Sequence, residues 1–217
     1  MAKRQYDNNY PSVTQILSVL RKVGLEMWFK YNDGKWCDQE SKRGRESGTD
    51  IHNAIEQFIN TGKASVDSQY VEEVTNGLNS FILFRKEHPE IEVHTSEVAL
   101  TSKAYGYNGT IDAPEPPILC DWKGGNCKDA DKPRIYDEAK SQVAAYVKLW
   151  NENNPSALIK TAHIVALAKD KVAYNIYTME QEEIDEWFNE VFLSALKIKN
   201  FETEQKRRLK EGIFYVK

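Results

Sequence analysis

The spacing of the apolar residues in this 217-residue chain changes near residue 92 from a helical period to alternation. Before that point the period predicts helices, and Ser12 with Gln15 three residues later predicts a capping box at the first of them. After it, alternating apolar runs predict strands, and two further stretches with the helical period occur among them and after them. The predicted helices cover about 12–23, 44–59, 69–86, 133–152 and 180–210, and the predicted strands cover about 92–101, 105–113, 118–123, 159–168 and 172–178.

The order of these elements favours an α/β (α+β) fold, in which a central mixed β-sheet is flanked by helices. The chain has no internal repeat and no low-complexity linker, so we expect a single domain over 1–217. It would comprise a helical N-terminal part over 1–90, the sheet with its helix over 91–178, and a C-terminal helix over 179–217. Residues 114–117, Pro-Glu-Pro-Pro, are predicted to form a turn because proline cannot continue a strand ladder.

The composition limits the class of protein. Hydrophobic residues make up 41% of the chain and charged residues 29%, which is typical of a globular protein and not of a disordered one. The net charge of -4 excludes a uniformly basic protein that coats DNA. No apolar run approaches the ~20 residues that cross a bilayer, and the N-terminus lacks the apolar core of a secretory signal. We therefore expect a cytoplasmic protein with no membrane partner.

The cysteines Cys37, Cys120 and Cys127 are odd in number and irregularly spaced, which argues against a disulfide framework. They are also too few for a structural zinc site or an iron–sulfur cluster held by four thiolates. We expect three reduced cysteines.

The strand predicted over 118–123 carries an acid and a lysine that alternation places on the same face, namely Asp121 and Lys123, with Trp122 on the other. Such a pair is ordinary on an exposed strand. The rest of this strand is apolar, however, as a buried central strand would be, and burying charged groups needs compensation. A bound divalent cation would neutralise the carboxylate while the ammonium acts on a bound water.

A second carboxylate, Asp112, ends the preceding strand in the run Gly109-Thr110-Ile111-Asp112. The connection to the next strand is short, so Asp112 and Asp121 should lie near each other at one end of a hairpin. Two converging carboxylates suit Mg²⁺ or Mn²⁺. Asp112 taken alone would more simply be read as the start of a turn.

Four further residues are candidates for the same site. His52 lies at the edge of an apolar helical stripe, where a histidine is more often a satisfied core residue than a ligand. Glu97 lies within the first predicted strand, where an exposed glutamate is the simpler interpretation. Gln142 and Tyr146 lie in the middle of the buried stripe of the helix over 133–152, and a buried glutamine must find partners there, either structural or in a site.

Taken in order, these motifs resemble the RecB-like branch of the PD-(D/E)XK nucleases. The motifs are Gly48-Thr49-Asp50-Ile51-His52, Glu97, Gly109-Thr110-Ile111-Asp112, Asp121-Trp122-Lys123 and Gln142 with Tyr146. Together with the opening Tyr10-Pro11-Ser12-Val13-Thr14, they are most similar to those of phage and mitochondrial genome-maintenance exonucleases. The resemblance spans roughly residues 10–150. Each motif is weak alone, and their order makes the resemblance specific.

The resemblance implies a restriction-endonuclease-like core and a role for each residue. Asp112 and Asp121 would bind the metal with His52 and the backbone carbonyl of Trp122. Lys123 would orient or deprotonate the attacking water. Glu97 would be a further acidic residue of the site, and Gln142 with Tyr146 would shape it and contact the DNA backbone. The four-cysteine iron–sulfur cluster of some members of the branch is not expected, because no cysteine follows Cys127.

The function implied is that of a Mg²⁺- or Mn²⁺-dependent deoxyribonuclease that hydrolyses phosphodiester bonds from DNA ends, with a preference for single strands. A replication or recombination protein could be a further partner, and the setting would be the interior of a bacterial or phage-infected cell. Two alternatives stay open at this point. One is an endonuclease or resolvase on the same fold, and the other is a non-catalytic module that binds DNA or a protein.

Overall fold

The computed structural model describes residues 7, 9–128 and 130–211. Four helices come first, followed by four strands, one helix, two further strands and the C-terminal helices. The elements are α1 (Val13–Leu17), α2 (Val23–Tyr31), α3 (Gly34–Thr61), α4 (Val71–Glu87), β1 (Val98–Ser102), β2 (Tyr107–Ile111), β3 (Ala113–Glu115), β4 (Ile118–Gly125), α5 (Asp137–Asn153), β5 (Thr161–Ala168), β6 (Tyr174–Met179), α6 (Gln181–Glu186), a π-helical segment (Trp187–Phe192) and α7 (Leu193–Lys210). Among the described residues, none of the helices combines the length and the apolar character needed to span a membrane.

Helix α1 begins as predicted and ends earlier than predicted. The Ser12 hydroxyl accepts a hydrogen bond from the Gln15 N–H at 3.2 Å, and the Gln15 side chain accepts one from the Ser12 N–H at 2.9 Å, which completes the capping box. The helix ends at Leu17, because the following N–H groups of Val19 and Leu20 bond three residues back and tighten the chain into a turn. The prediction of one helix to residue 23 was therefore wrong.

Helix α3 is a single 28-residue helix, whereas the apolar pattern predicted only its second half. It begins where the Asp33 carboxylate accepts a hydrogen bond from the Trp36 N–H at 3.0 Å, and it ends at Gly62 in the left-handed conformation. Gly44 and Gly48 lie within it, and a methyl group added at either would have no heavy atom within 4 Å.

The sheet is mixed, as the order of elements predicted. Strands β3, β4, β5 and β6 form a four-stranded sheet in that order, and β1 pairs with β2 in a separate two-stranded sheet. Among the named strands, β4 and β5 pair in parallel, with α5 as the crossover, and the pairs β1–β2, β3–β4 and β5–β6 are antiparallel. This architecture confirms the predicted α/β (α+β) fold, in which a mixed β-sheet is flanked by helices.

Two local predictions along the sheet were only partly right. The turn predicted over 114–117 is present at Pro116 and Pro117, but Pro114 lies inside β3, where proline is tolerated because β3 is an edge strand. The first strand begins at Val98 and not at residue 92. The residues before it form a loop because the Glu115 carboxylate accepts hydrogen bonds from the N–H groups of His94 and Thr95, in place of a neighbouring strand.

Helices cover both faces of the four-stranded sheet and separate the core into two clusters. On one face Trp122 packs between α3 and α4, with its ring 5.0 Å from Phe81 and 5.9 Å from Phe84. On the other face Leu119 and Ile164 join a cluster that includes α5, α1 and the C-terminal helices. Successive residues of β4 therefore enter different cores, as strand alternation requires.

Gly109 on β2 gives a stability test of the contact between α5 and the small sheet. A methyl group there would lie 2.7 Å from a Leu149 methyl carbon and 2.9 Å from the Tyr146 ring. We expect Gly109→Ala to lower the free energy of unfolding by about 1–3 kcal/mol, as overpacking does. The matched control is Gly48→Ala in α3, which should raise it by roughly 0.5–1 kcal/mol because nothing lies near the new methyl group. Urea denaturation measures both, and equal effects of the two changes would contradict this account of the packing.

Candidate active site

Asp112 joins β2 to β3 and is buried beside the backbone of β4. The last paired residues of β3 and β4 are Ala113 and Cys120. Beyond that pair, the Asp112 side chain takes the place of a strand, and its Oδ2 accepts a hydrogen bond from the Trp122 N–H at 2.8 Å. The carboxylate is thereby fixed against the strand that carries Asp121, as the short connection predicted.

His52 reaches the same place from α3. Its Nε2 lies 3.1 Å from the Trp122 carbonyl oxygen, and its Nδ1 lies 3.4 Å from Asp112 Oδ1 and 3.7 Å from Glu97 Oε1. The side chain is about one quarter exposed, so it opens to solvent on one side. The Trp122 carbonyl thus contacts one ring nitrogen of His52, and the Asp112 carboxylate lies near the other.

Glu97 completes the cluster from an unexpected position. It precedes β1 and does not lie within a strand, so that part of the prediction was wrong. Its φ of 55° is in the left-handed region, which is uncommon for a residue other than glycine. Its N–H donates to the Asp112 carbonyl oxygen at 2.9 Å and holds the turn in place. One ligand atom from each of His52, Glu97 and Asp112 lies within 4.8 Å of the other two.

Asp121 and Lys123 form an ion pair on one face of β4, as their spacing predicted. The Asp121 carboxylate is fully buried, and neither oxygen accepts a hydrogen bond of normal geometry from the described part of the chain. The Lys123 side chain is about 30% exposed and therefore reaches the surface of the site. In this arrangement Asp121 is paired with Lys123 and is not part of the cluster of His52, Glu97 and Asp112.

The charged groups of the site strongly shift one another's pKa values. Burial disfavours the charged form of His52, but the Asp112 carboxylate and hydrogen bonds to Asp112 and Glu97 outweigh it and raise the pKa of His52 to about 10. Burial also opposes ionisation of Asp112, yet the positive charge of His52 and its hydrogen bond lower the pKa of Asp112. Burial raises the pKa of Asp121, and the charge of Lys123 only partly opposes this.

The donor set of the cluster fits a divalent cation. An imidazole nitrogen with carboxylate and carbonyl oxygens suits Mn²⁺ and Mg²⁺. The contact of His52 Nε2 with the Trp122 carbonyl matches the way in which metal-binding histidines usually donate their other N–H to a carbonyl, which directs Nδ1 toward the carboxylates. The orphaned oxygens of Asp121 likewise fit a site that an ion would complete.

Gln142 and Tyr146 contact each other on α5, with the Gln142 Nε2 donating to the Tyr146 hydroxyl oxygen at 2.8 Å. The ring of Tyr146 packs over Gly109, three residues before Asp112 in the chain. The glutamine in the buried stripe therefore has a partner within its own helix. The pair lies beside the strand that leads to Asp112.

Lys169, a charged residue that follows β5 directly, was not predicted to belong to the site and is buried. The Lys169 ammonium at the end of β5 donates to the Gly44 carbonyl oxygen at 3.0 Å and to the Ser47 hydroxyl at 2.9 Å. It thereby ties α3 to the sheet one to two turns before His52. In the sequence Lys169 is part of a charged turn, Lys169-Asp170-Lys171, and it carries no signal of burial.

The chain matches no protein-family model and no curated protein. Among solved structures it is similar to a candidate exonuclease from Eubacterium rectale, with 13% sequence identity, a TM-score of 0.55 and coverage of 99% of this chain and 88% of that one. Two other structures superpose less well. A phage-related exonuclease from Haemophilus somnus has 13% identity, coverage of 72% and 82%, and a TM-score of 0.39. The alkaline exonuclease LHK-Exo from Laribacter hongkongensis has 12% identity, coverage of 93% and 95%, and a TM-score of 0.38.

The similarity to the first of these structures establishes the fold. The chain therefore shares the fold of that structure, and its mixed sheet flanked by helices is the architecture expected of a restriction-endonuclease-like core. Membership of the PD-(D/E)XK nuclease superfamily, the RecB-like branch and the role of each site residue stay predictions.

Metal binding tests the cluster directly. We expect His52→Ala and Asp112→Asn each to weaken Mn²⁺ binding by at least roughly 10–100-fold, the range that loss of even an outer partner of a metal ligand produces. Lys123→Ala is the matched control, since it removes a charge from the same site but no ligand, and it should retain Mn²⁺ binding. Isothermal calorimetry measures affinity and thermal melting measures folding. If His52→Ala bound Mn²⁺ normally and only melted at a lower temperature, His52 would be a core residue and the assignment would be wrong.

Proposed function

We propose that this chain is a metal-dependent nuclease that hydrolyses phosphodiester bonds in DNA. The observation that carries the proposal is the convergence of His52, Glu97 and Asp112 beside the Asp121–Lys123 pair. Carboxylates are rarely buried unless they are paired or bind a cation, and here Asp112 and Asp121 are buried while Glu97 is partly buried. The candidate exonuclease with a similar fold supports the same activity class.

A divalent ion at this site would polarise the phosphate and lower the pKa of a bound water. His52, Glu97 and Asp112 would hold it, and the Trp122 carbonyl, which faces the same side as its N–H, would either bind it or orient His52. Asp121 would act as a further ligand or would hold Lys123. Mg²⁺ and Mn²⁺ both fit the donor set, and the nitrogen of His52 makes Mn²⁺ at least competitive.

Lys123 is proposed to position the attacking water with its ammonium or, as the neutral amine, to accept the proton of that water. Its side chain is about 30% exposed, and its ion pair with the buried Asp121 holds it in place. The water oxygen would bond to phosphorus as the bond to the leaving oxygen breaks, so no covalent enzyme intermediate is needed. Gln142 and Tyr146 would shape the wall beside Asp112 and contact the DNA backbone.

Cleavage from ends with a preference for single strands is the finer part of the proposal. It is supported by an aromatic group on α2 and early α3 comprising Trp28, Phe29, Tyr31 and Trp36. The Trp28 ring lies 5.0 Å from Phe29 and 5.5 Å from Trp36, and Tyr31 and Trp36 are exposed. The basic residues Lys30, Lys35, Lys42 and Arg43 lie on the same stretch. Aromatic stacking with backbone charge recognises single strands without reading bases.

Cleavage of end-labelled linear DNA tests the activity. We expect degradation with Mg²⁺ or Mn²⁺ and none with EDTA. Lys123→Ala should bind Mn²⁺ yet lose about 10²–10⁴-fold in rate, the usual contribution of a positioned acid or base. Lys171 lies in the β5–β6 connection and donates to the Ala130 carbonyl oxygen at 2.9 Å, so Lys171→Ala serves as the control and should keep wild-type rates. Undiminished cleavage in EDTA, or normal turnover by Lys123→Ala, would refute the proposed chemistry.

The form of the substrate separates exonuclease from endonuclease. At matched enzyme concentration, linear single strands should shorten progressively, blunt duplex more slowly, and sealed single-stranded circles little or not at all. Gel analysis of the three substrates over time provides the measurement. Rapid nicking of sealed circles would favour an endonuclease, and binding without cleavage of any substrate would favour a non-catalytic DNA-binding module.

A further inference from the structure

A groove of about 670 Å³ lies between α1, α2 and the N-terminal part of α5. Its volume falls within the range of ~300–1,000 Å³ that is typical of sites that bury small organic groups. It is separate from the cluster of His52, Glu97 and Asp112, none of which lines it. The groove was not predicted, because its walls come from three helices whose arrangement the sequence does not specify.

The apolar wall of the groove is unusually exposed. Helix α2 has no buried residue, although it is rich in large apolar side chains. Leu25 and Phe29, one turn apart, both line the groove and are 46% and 41% exposed. Opposite them, Leu17 and Leu20 contribute apolar surface from the α1 end. The groove therefore offers a flat ring and aliphatic side chains to an occupant with an apolar face.

Two exposed ion pairs line the groove. Arg21 pairs with Glu26 at 2.8 Å, and Lys22 pairs with Glu138 at 2.9 Å, so these four groups carry no net charge together. All four side chains are exposed, and ion pairs of this kind contribute little to stability. Arg21 and Lys22 could therefore turn from their carboxylate partners toward the phosphate groups of an occupant.

One wall of the groove is linked to the candidate active site. Gln142 forms part of that wall and donates to the Tyr146 hydroxyl, whose ring packs on Gly109. Gly109 precedes Asp112 by three residues on the strand that enters the site. A chain of side-chain contacts thus joins the groove wall to the strand that leads to Asp112.

From the aromatic wall, the two exposed cationic side chains and this link to the site, we infer that the groove binds one or two unpaired nucleobases of the DNA strand beside the active site. This inference rests on the proposed function, since it concerns the same substrate. The Phe29 ring would stack on a base, Arg21 and Lys22 would contact the adjoining phosphates, and Gln142 would contact the backbone of the same strand. Bases within a duplex are stacked and paired, so only unpaired nucleotides can enter.

Abasic oligonucleotides test the inference, because they keep the phosphates and remove the bases. We would measure, by fluorescence anisotropy in EDTA, binding of a labelled single strand and of the same strand with tetrahydrofuran residues near one end. The wild-type protein should bind the abasic strand roughly 5- to 100-fold more weakly, as loss of one or two stacked bases predicts. Phe29→Ala should weaken binding of the normal strand by a similar factor and hardly change binding of the abasic strand.

Met27→Ala is the matched control, because Met27 lies on α2, is 43% exposed and does not line the groove. It should bind both strands as the wild type does. Leu25→Ala provides a second groove variant in case Phe29→Ala fails to fold, which circular dichroism would reveal. If base removal weakened the wild type and both groove variants by the same factor, the bases would bind elsewhere and the inference would be overturned.

The outcomes also separate this inference from the proposed function. Metal-dependent cleavage without coupling between Phe29 and the bases would refute only the groove. Coupling without cleavage in Mg²⁺ or Mn²⁺ would refute only the catalytic proposal. Failure to bind any oligonucleotide would overturn both.

Discussion

The burial of two carboxylates, Asp112 and Asp121, beside the same strand is the constraint around which the rest of the site is arranged. An unpaired buried charge costs several kcal/mol, so each carboxylate needs nearby compensation. Asp121 obtains it from the Lys123 ammonium, and Asp112 from the Trp122 N–H and the positive charge of His52. These groups come from β4 and α3. The packing of α3 against the sheet is therefore a condition for Asp112 to remain ionised, as well as a source of apolar burial.

The tertiary contacts that hold α3 in place explain how a helix distant in sequence reaches the sheet edge. Ile51 is buried among α4 and the sheet, next to the residue that must face the carboxylates. Gly77 on α4 admits the Ile51 side chain, since a methyl group there would lie 2.6 Å from the Ile51 Cδ1. Lys169 fixes the preceding turns through Gly44 and Ser47. The apolar packing of Ile51 and the hydrogen bonds of the buried Lys169 ammonium thus together set the position of His52.

Local patterns predicted the parts of the site that depend on one or two neighbouring strands. Alternation along β4 placed Asp121 and Lys123 on one face, and the short β2–β4 connection brought Asp112 close, because both follow from strand geometry alone. The position of Glu97 could not be predicted in the same way. Its loop has the alternation of a strand, and the structure departs from it because Glu115, a residue far along the chain, binds the loop N–H groups. The contacts of Lys169 and the groove under α2 also depend on long-range packing that no local period encodes.

The balance of charge explains why this arrangement suits a divalent ion more than another lysine or arginine. When Glu97, Asp112 and Asp121 are all ionised, their three negative charges face the two positive charges of His52 and Lys123. A divalent cation bound through His52 Nδ1 would bring two charges and displace one proton, which would leave the five residues and the ion neutral together. A further lysine or arginine would also neutralise the cluster, but it carries only donors and could not use the lone pair of His52. Under the proposed function the imidazole would therefore make the site selective for a metal, and Lys123, which is not needed as a ligand, would act on water.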